Sequence, residues 1–364
     1  MKILFFASDY QIGLSYLLSE QLKNIVRQFG FDITAIAGET EQMKGLTQQL
    51  ELQNIQIKRI IGLDVHKNFI SLSKQIKTII KESKCTHIHV QNNWQLALIV
   101  WIKFFYQFKY KIIYTIHGYR HNNYLKAIFA KRIIDLALYL FTDLVFVASS
   151  EVKKKFWFVR KKTFILYLGV EELFFNIPAP VFSSPHKNIV FAGQFRKGKN
   201  HSTIIKALSN YIKKTGDRDF SLYLPGEGSL KDNCIKLANE LKLQDKIIFP
   251  GQLSREEMLN LYKRCQVAIV PTNSETFGHC IAEPFVMGLC VLSRKVGIAE
   301  DIILHGENGL FFNNENDLAL LLIKYLNNNG ILEALGKSAQ KKSELFRWST
   351  ICKLYEKILV GNAN

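Results

Sequence analysis

The chain has 364 residues, more than one hydrophobic core commonly serves, so two domains are expected. Its 48% hydrophobic and 22% charged residues, with only 7 Pro and 21 Gly, exclude disordered and fibrous classes. The net charge is +17, weighted to the first half: residues 1–180 carry 24 Lys and Arg against 13 Asp and Glu, and residues 181–364 carry 24 against 18. Such a field suits nucleic acid, an anionic lipid surface or a phosphate-bearing substrate, and composition alone does not choose among them.

In chain order, the opening MKILFFASDY reads as a first β-strand. Asp9 interrupts its apolar run and no small-residue cleavage site follows, so nothing there directs export. The loop SDYQIGLSY then carries Gly13, and LSEQLKNIVRQFG has helical periodicity. FDITAIAG, THIHVQ, KIIYTIHG and TDLVFVASS are further β-rich runs. Their alternation with helical patterns predicts βα units on a parallel sheet, covered by helices on both sides where strands such as DLVFVA are apolar on both faces. The longest apolar stretch, Trp94 to Tyr114, carries Lys103, Lys109 and Lys111, which defeats a spanning helix. His117 follows directly on the strand KIIYTI, where open α/β sheets present ligand-binding groups; an isolated His there is equally a structural residue. Further on, VKKKFWFVRKK frames Phe156, Trp157 and Phe158 with Lys153 to Lys155 and Arg160 to Lys162. That pattern suits docking on anionic lipid, or a helix that packs its aromatics inward and solvates its lysines.

The segment NIPAPVFSSPHK, residues 176–187, holds three of the seven prolines and reads as a linker. The alternation then restarts: NIVFAG, HSTIIKALSNYIKK, FSLYLPGEG, LKDNCIKLANELKL, KIIFPG, REEMLNLYKRC and QVAIVPT predict a second doubly wound domain. In the loop AGQFRKGKNH, Gly193 ends a strand, and Arg196 and Lys199 can serve as cations for a pyrophosphate, or stand as an ordinary solvated basic loop. Gly226 and Gly228 close a tight turn. The most informative stretch is PTNSETFGHCIAEPFVMG, residues 271–288. Pro284 is best tolerated in a first helical turn, which predicts a helix beginning near Cys280 to Glu283 with Phe277, Gly278 and His279 at its entrance, where backbone N–H groups favour a phosphate. Glu275 and Glu283 flank that entrance; two carboxylates eight apart are also common beside surface turns. The six cysteines are scattered, with no CxxC pair and no His tract at ligand spacing, which fits a reducing compartment and gives no metal site.

This last stretch resembles the retaining glycosyltransferase family 4, whose pattern P-S-x-x-E-x-F-G-x-x-x-x-E is closely matched from Pro271 to Glu283. The resemblance implies a GT-B fold: α/β, two Rossmann-like doubly wound domains facing a cleft. It sets residues 1–178 as the acceptor domain and 187–345 as the donor domain, with the stretch from about 346 to 364, FRWSTICKLYEKIL onward, crossing back onto the first. Glu283 would hold the donor ribose and Glu275 would lie by the transferred sugar. Phe277, Gly278 and His279 would offer backbone to the donor, and Leu253, in IIFPGQLSREEM, would lie near the base. His117 matches a family His that touches the donor sugar. Gly193 and Lys199 match the family Gly and Lys, whereas Gln194 stands at the usual Arg and Arg196 is the candidate to supply that charge. Of the family's amino-terminal Gly pair only Gly13 is present.

The implied activity is a retaining, metal-independent transfer from a UDP- or GDP-sugar to a glycan or lipid-pyrophosphate-linked acceptor. Negative charge growing on the departing diphosphate would be met by fixed positive charge, and no cofactor is expected. The implied setting is cytoplasmic, peripheral at the inner face of the plasma membrane, in bacterial surface polysaccharide, O-antigen, capsule or lipopolysaccharide synthesis. A GT-B nucleotide-sugar epimerase shares the architecture and is the alternative. A phosphorylase would need a pyridoxal-linked Lys and a longer chain, and no zinc knuckle, helix-turn-helix or RNA-binding sheet motif points to nucleic acid.

Overall fold

A computed structural model describes residues 2–6, 32–37, 56–59, 69–117 and 124–361. The chain divides into two compact units, Met1–Gly169 with Trp348–Asn364, and Val170–Arg347. The change of unit falls at Gly169 rather than at residue 178, because Glu171 already binds Arg255 and Phe174 already packs on Tyr262, both in the second unit. The proline-rich stretch 176–187 therefore lies inside the second unit, where Phe182 is buried and the Ile177 carbonyl accepts from Gln340.

In the first unit, strands β1 (Lys2–Phe6), β2 (Asp32–Ala37), β3 (Gln56–Arg59), β4 (His87–Val90), β5 (Lys111–Ile116), β6 (Leu144–Val147) and β7 (Thr163–Ile165) form a parallel sheet in the order β3-β2-β1-β4-β5-β6-β7. Helices α1 (Phe69–Ser83), α2 (Asn93–Tyr106), α3 (Tyr124–Phe141) and α4 (Ser150–Lys155) lie between the strands in sequence. Period-two alternation on β1 sends Leu4 and Phe6 into a core with α1 and α2, through Leu72, Ile76, Ile99 and Ile102. Ile3 and Phe5 enter a second core built on Trp348, Ile351, Tyr355 and Leu359 of the helix Trp348–Gly361. Both sheet faces are thus covered, as strands apolar on both sides require.

His89 sits in that second core. Its Nδ1 meets the Tyr355 hydroxyl at 3.0 Å and its Nε2 meets Thr115 Oγ1 at 2.7 Å, and burial pushes it down to about 3. Trp348 is one of the largest buried side chains, and a Cβ at Gly169 would stand 2.2 Å from its ring, so only glycine fits there. In the basic segment 153–162, Phe156 is a core residue while Phe158 is exposed, so the segment does not present its aromatics as one surface.

The second unit repeats the plan. Strands β8 (Lys187–Val190), β9 (Phe220–Tyr223), β10 (Ile247–Ile248), β11 (Val267–Val270), β12 (Cys290–Ser293) and β13 (Leu310–Phe311) form a parallel sheet ordered β10-β9-β8-β11-β12-β13. Helices α5 (His201–Thr215), α6 (Lys231–Glu240), α7 (Arg255–Tyr262), α8 (His279–Val286), α9 (Ala299–Ile302), α10 (Glu315–Tyr325) and α11 (Asn329–Lys341) connect and cover them. Strand order reverses between β8 and β11, so the loops leaving their carboxyl ends diverge around a crevice, the place where such sheets bind ligands. Those loops are residues 191–200 and 271–278. No helix among the described residues is long and apolar enough to cross a membrane.

Candidate functional site

The loop after β8 is held from below by His201, the first residue of α5. Its ring stacks on Phe195 at 4.1 Å and its Nε2 reaches the Gly193 carbonyl at 3.2 Å. Burial holds His201 neutral, down to about 4, so Nε2 donates while the other ring nitrogen carries no proton. The Gly193 N–H in turn donates to Pro225 O at 3.1 Å. Both polar groups of Gly193 are engaged internally, so what it offers a ligand is the absence of a side chain. Gly226 has φ +134, and a Cβ there would lie 2.3 Å from the Gly193 carbonyl, which makes the turn before α6 a support for this loop.

The two crevice loops are then fastened to each other. Asn200 donates to Pro271 O at 3.1 Å and to Asn273 Oδ1 at 2.6 Å, and Asn273 N–H donates to Gly198 O at 2.8 Å. This fastening brings Lys199 Nζ to 2.5 Å from Glu275 Oε1, with both side chains only 13% exposed. Cys280 Sγ shares the same oxygen at 3.8 Å, and burial raises its thiol, so it acts as a neutral donor. Among the described residues no hydrogen bond falls on Glu275 Oε2. Gln194 and Arg196 are exposed while Phe195 between them is buried, and the backbone turns here rather than running extended, since the Arg196 N–H donates to Gln194 O at 2.8 Å.

Helix α8 begins at His279, one residue before the expected start, with Gly278 as its N-cap at φ +106. Pro284 is consequently the sixth helical residue and not in the first turn. The helix tolerates it because it is only eight residues long and forfeits a single backbone bond, the one to the Cys280 carbonyl. Phe277 is buried edge-on against His279 and Phe346. Gly297, which sequence reading passed over, completes the entrance: a Cβ there would stand 2.4 Å from Phe277 O and 2.8 Å from Glu275 Cβ.

Glu283 is buried one turn into α8. Its Oε1 accepts from Arg255 Nη2 at 2.8 Å, its Oε2 accepts from the Tyr262 hydroxyl at 3.3 Å, and His279 Nδ1 is 3.9 Å away. Arg255 also binds Glu171 at 2.5 Å and lies over the Phe174 ring at 4.7 Å. Neither Arg255 nor Tyr262 was singled out from sequence. One signal was available: Arg255 is the first residue of a helix whose capping box, Ser254 with Glu257, is complete, and a cation at that end opposes the helix dipole. Leu253 is half-buried immediately before that cap.

His117 belongs to the first unit, directly after β5, and its Nε2 is hydrogen-bonded to Gln91 Oε1 after β4. Burial pushes it down to about 4, so at neutral pH it is an uncharged imidazole with Nε2 as donor and Nδ1 as acceptor. The Gln91 N–H is itself fixed by Gln95 Oε1 at 2.8 Å. Gly13 lies outside the described residues. Among the described residues no group of three or more His, Cys, Asp and Glu side chains is placed to hold a metal ion.

Three histidines held neutral by desolvation make acid stability a direct readout. Unfolded histidine titrates near 6.5, whereas His89, His117 and His201 are held down to about 3, 4 and 4. Below the unfolded value the unfolded chain binds protons that the folded chain refuses, so stability is complete above about pH 6.5 and falls toward pH 4. At about pH 5 each histidine costs about 2 kcal/mol. Urea midpoints measured at neutral pH and near pH 5 should fall accordingly; an unchanged midpoint would contradict the burial of these rings.

Residues 175–342, which lie within the second unit, match the family described as Glycosyl transferases group 1. The pair of Rossmann-like units is of the GT-B class, and HepE of Anabaena, solved in complex with UDP, aligns with a TM-score of 0.82 at 17% identity, covering 99% of this chain and 100% of that one. An uncharacterized glycosyltransferase of Methanocaldococcus jannaschii is 26% identical over 207 residues, 55% of this chain and 55% of its own length. The O-antigen biosynthesis glycosyltransferase WclY of Escherichia coli is 26% identical over 253 residues, 64% of this chain and 67% of that protein. The chain thus spans about half the length of the first of these curated relatives, 55%.

Proposed function

We propose that this chain is a retaining glycosyltransferase that moves a sugar from a nucleoside-diphosphate sugar, UDP-linked in the first instance, to a hydroxyl of a glycan or lipid-linked acceptor in bacterial surface polysaccharide assembly. The observation that carries the reading is the Lys199–Glu275 ion pair, set at the crevice loops beside the entrance of α8 with Glu283 one turn inside. A diphosphate seated at that entrance meets unpaired helical N–H groups and Lys199, with Arg196 on the exposed side of the same loop. Glu283, oriented by Arg255 and Tyr262, keeps acceptor capacity for ribose hydroxyls, since a carboxylate has about four lone-pair sites. The group 1 match over residues 175–342 and the UDP complex of the structurally similar HepE favour this donor class, and the match favours transfer over epimerisation.

In the reaction, the bond from the anomeric carbon to the phosphate oxygen breaks while the acceptor oxygen bonds to that carbon from the same face. The acceptor proton passes to a non-bridging oxygen of the leaving diphosphate, whose growing charge is stabilised by Lys199, Arg196 and the helix entrance. Glu275 supports the positive charge of the oxocarbenium-like sugar and, through Oε2, accepts from a sugar hydroxyl. His117 acts as a neutral hydrogen-bonding group on the donor sugar. No metal takes part in this scheme, so turnover is expected to survive a chelator.

A panel of nucleoside diphosphates and nucleotide-sugars read by thermal shift tests the donor site, with Glu283→Ala and Lys199→Ala as controls. Saturation at about a hundredfold over Kd adds about 2.7 kcal/mol, enough to resolve as a shift in Tm. Stabilisation by one nucleotide class that both substitutions weaken is the expected result; a flat response across the panel would remove the donor site.

A further inference from the structure

Helix α2 buries Leu96, Ile99 and Ile102 on the sheet, which leaves Trp101, Phe104 and Phe105 on its outer side, where a surface helix normally carries polar residues. Phe104 is 66% exposed and Phe105 63%. Helix α3 does the same at helical spacing with Ile133, Leu136 and Leu140, the last 57% exposed. The two stripes are one face: the Trp101 and Phe105 rings stack at 3.9 Å, Phe104 meets Phe141 edge-on at 5.8 Å, and Phe104, Leu140 and Lys103 line a common pocket. An exposed apolar face of this kind marks an interaction site.

Its surroundings are basic. Lys162 donates to Tyr139 O at 2.5 Å at the end of α3, and Lys109, Arg160 and Lys161 are exposed nearby in sequence, with Lys74 on the adjacent α1. Of the acidic groups at hand among the described residues, Asp135 of α3 is buried, Glu82 pairs with Lys58, and Asp143 accepts from the Ile112 N–H. We propose that the α2–α3 face docks on an anionic lipid surface, its aromatics entering the boundary between headgroups and acyl chains while the lysines meet the headgroup charge. A second copy of this chain is the weaker occupant, because it would bring an identical cationic surround against this one. The inference is independent of the transfer reaction, and its test does not read turnover.

The test is sedimentation of the purified full chain with phosphatidylcholine vesicles, with and without an equal share of phosphatidylglycerol, at low and high salt. The expected result is binding to the phosphatidylglycerol vesicles that salt weakens. The variant Phe104→Ser/Phe105→Ser/Leu140→Ser should bind at least about tenfold more weakly, with an unchanged Tm because all three side chains are exposed. Lys109→Gln/Lys161→Gln should lose the preference for anionic vesicles and serves as a second probe should the triple variant fold poorly. No binding by the unmodified chain, undiminished binding by both variants, or a dimer in solution that the triple variant dissociates would each overturn the proposal.

Discussion

Glu275→Gln is expected to lower kcat on the order of a hundredfold while nucleotide affinity changes by less than about threefold. The substitution keeps the shape of the side chain and removes the charge that supports the developing positive sugar, a transition-state interaction that the bound nucleotide does not use. Lys199→Ala acts on both quantities. It removes a cation from the diphosphate and leaves Glu275 with one carboxylate oxygen shared only by the Cys280 thiol in a half-closed site. Because the two groups form one ion pair, the double variant should fall well short of the product of the single effects. Steady-state kinetics with the donor found in the nucleotide panel would measure all three. Full turnover in Glu275→Gln would remove that residue from the chemistry, and strictly multiplicative effects would deny the coupling.

Arg255→Met is expected to lose about 2–3 kcal/mol of stability and at least about tenfold in nucleotide affinity. Glu171 and Glu283 have side chains only 5% and 6% exposed, and each is ion-paired with this guanidinium. The stability figure is set below that of a fully buried pair because the Arg255 side chain is 43% exposed and water relieves part of the loss. Adding Glu283→Gln to Arg255→Met should restore part of the stability, since one uncompensated carboxylate is gone, and none of the affinity. Urea titration and nucleotide binding on the same samples separate the two effects. If affinity is unchanged in Arg255→Met, Arg255 is a purely structural clamp and does not orient Glu283 for the donor.

The parts of this protein that were legible in sequence are those governed by local pattern. Period-two and helical runs gave the parallel sheets of both units, and Pro271 to Glu283 marked the crevice loop and the helix after it. What local pattern does not show is which of these groups meet: Lys199 pairs with Glu275 across 76 positions, and Arg255 joins Glu171 and Glu283 across 84 and 28. The boundary at Gly169 was hidden for a related reason. Proline content suggested a linker at 176–187, whereas the actual change of unit is decided by where Glu171 and Phe174 find partners. For VKKKFWFVRKK the sequence left open lipid docking or inward packing of its aromatics; Phe156 is core and Phe158 exposed, whereas three of the five rings of α2 lie outside.

The helix Trp348–Gly361 supplies Trp348, Ile351, Tyr355 and Leu359 to the core of a unit whose strands were all made before residue 166. On the ribosome, the first unit therefore begins to form and then waits, with Ile3, Phe5, Ile113 and Phe146 lacking their cover, until the whole second unit has been synthesised. The second unit, contiguous in sequence, can complete itself first. A chain interrupted anywhere before Trp348 displays a greasy sheet face to chaperones and proteases, so the order of synthesis itself acts as a check that only chains containing a finished second unit acquire a stable first one.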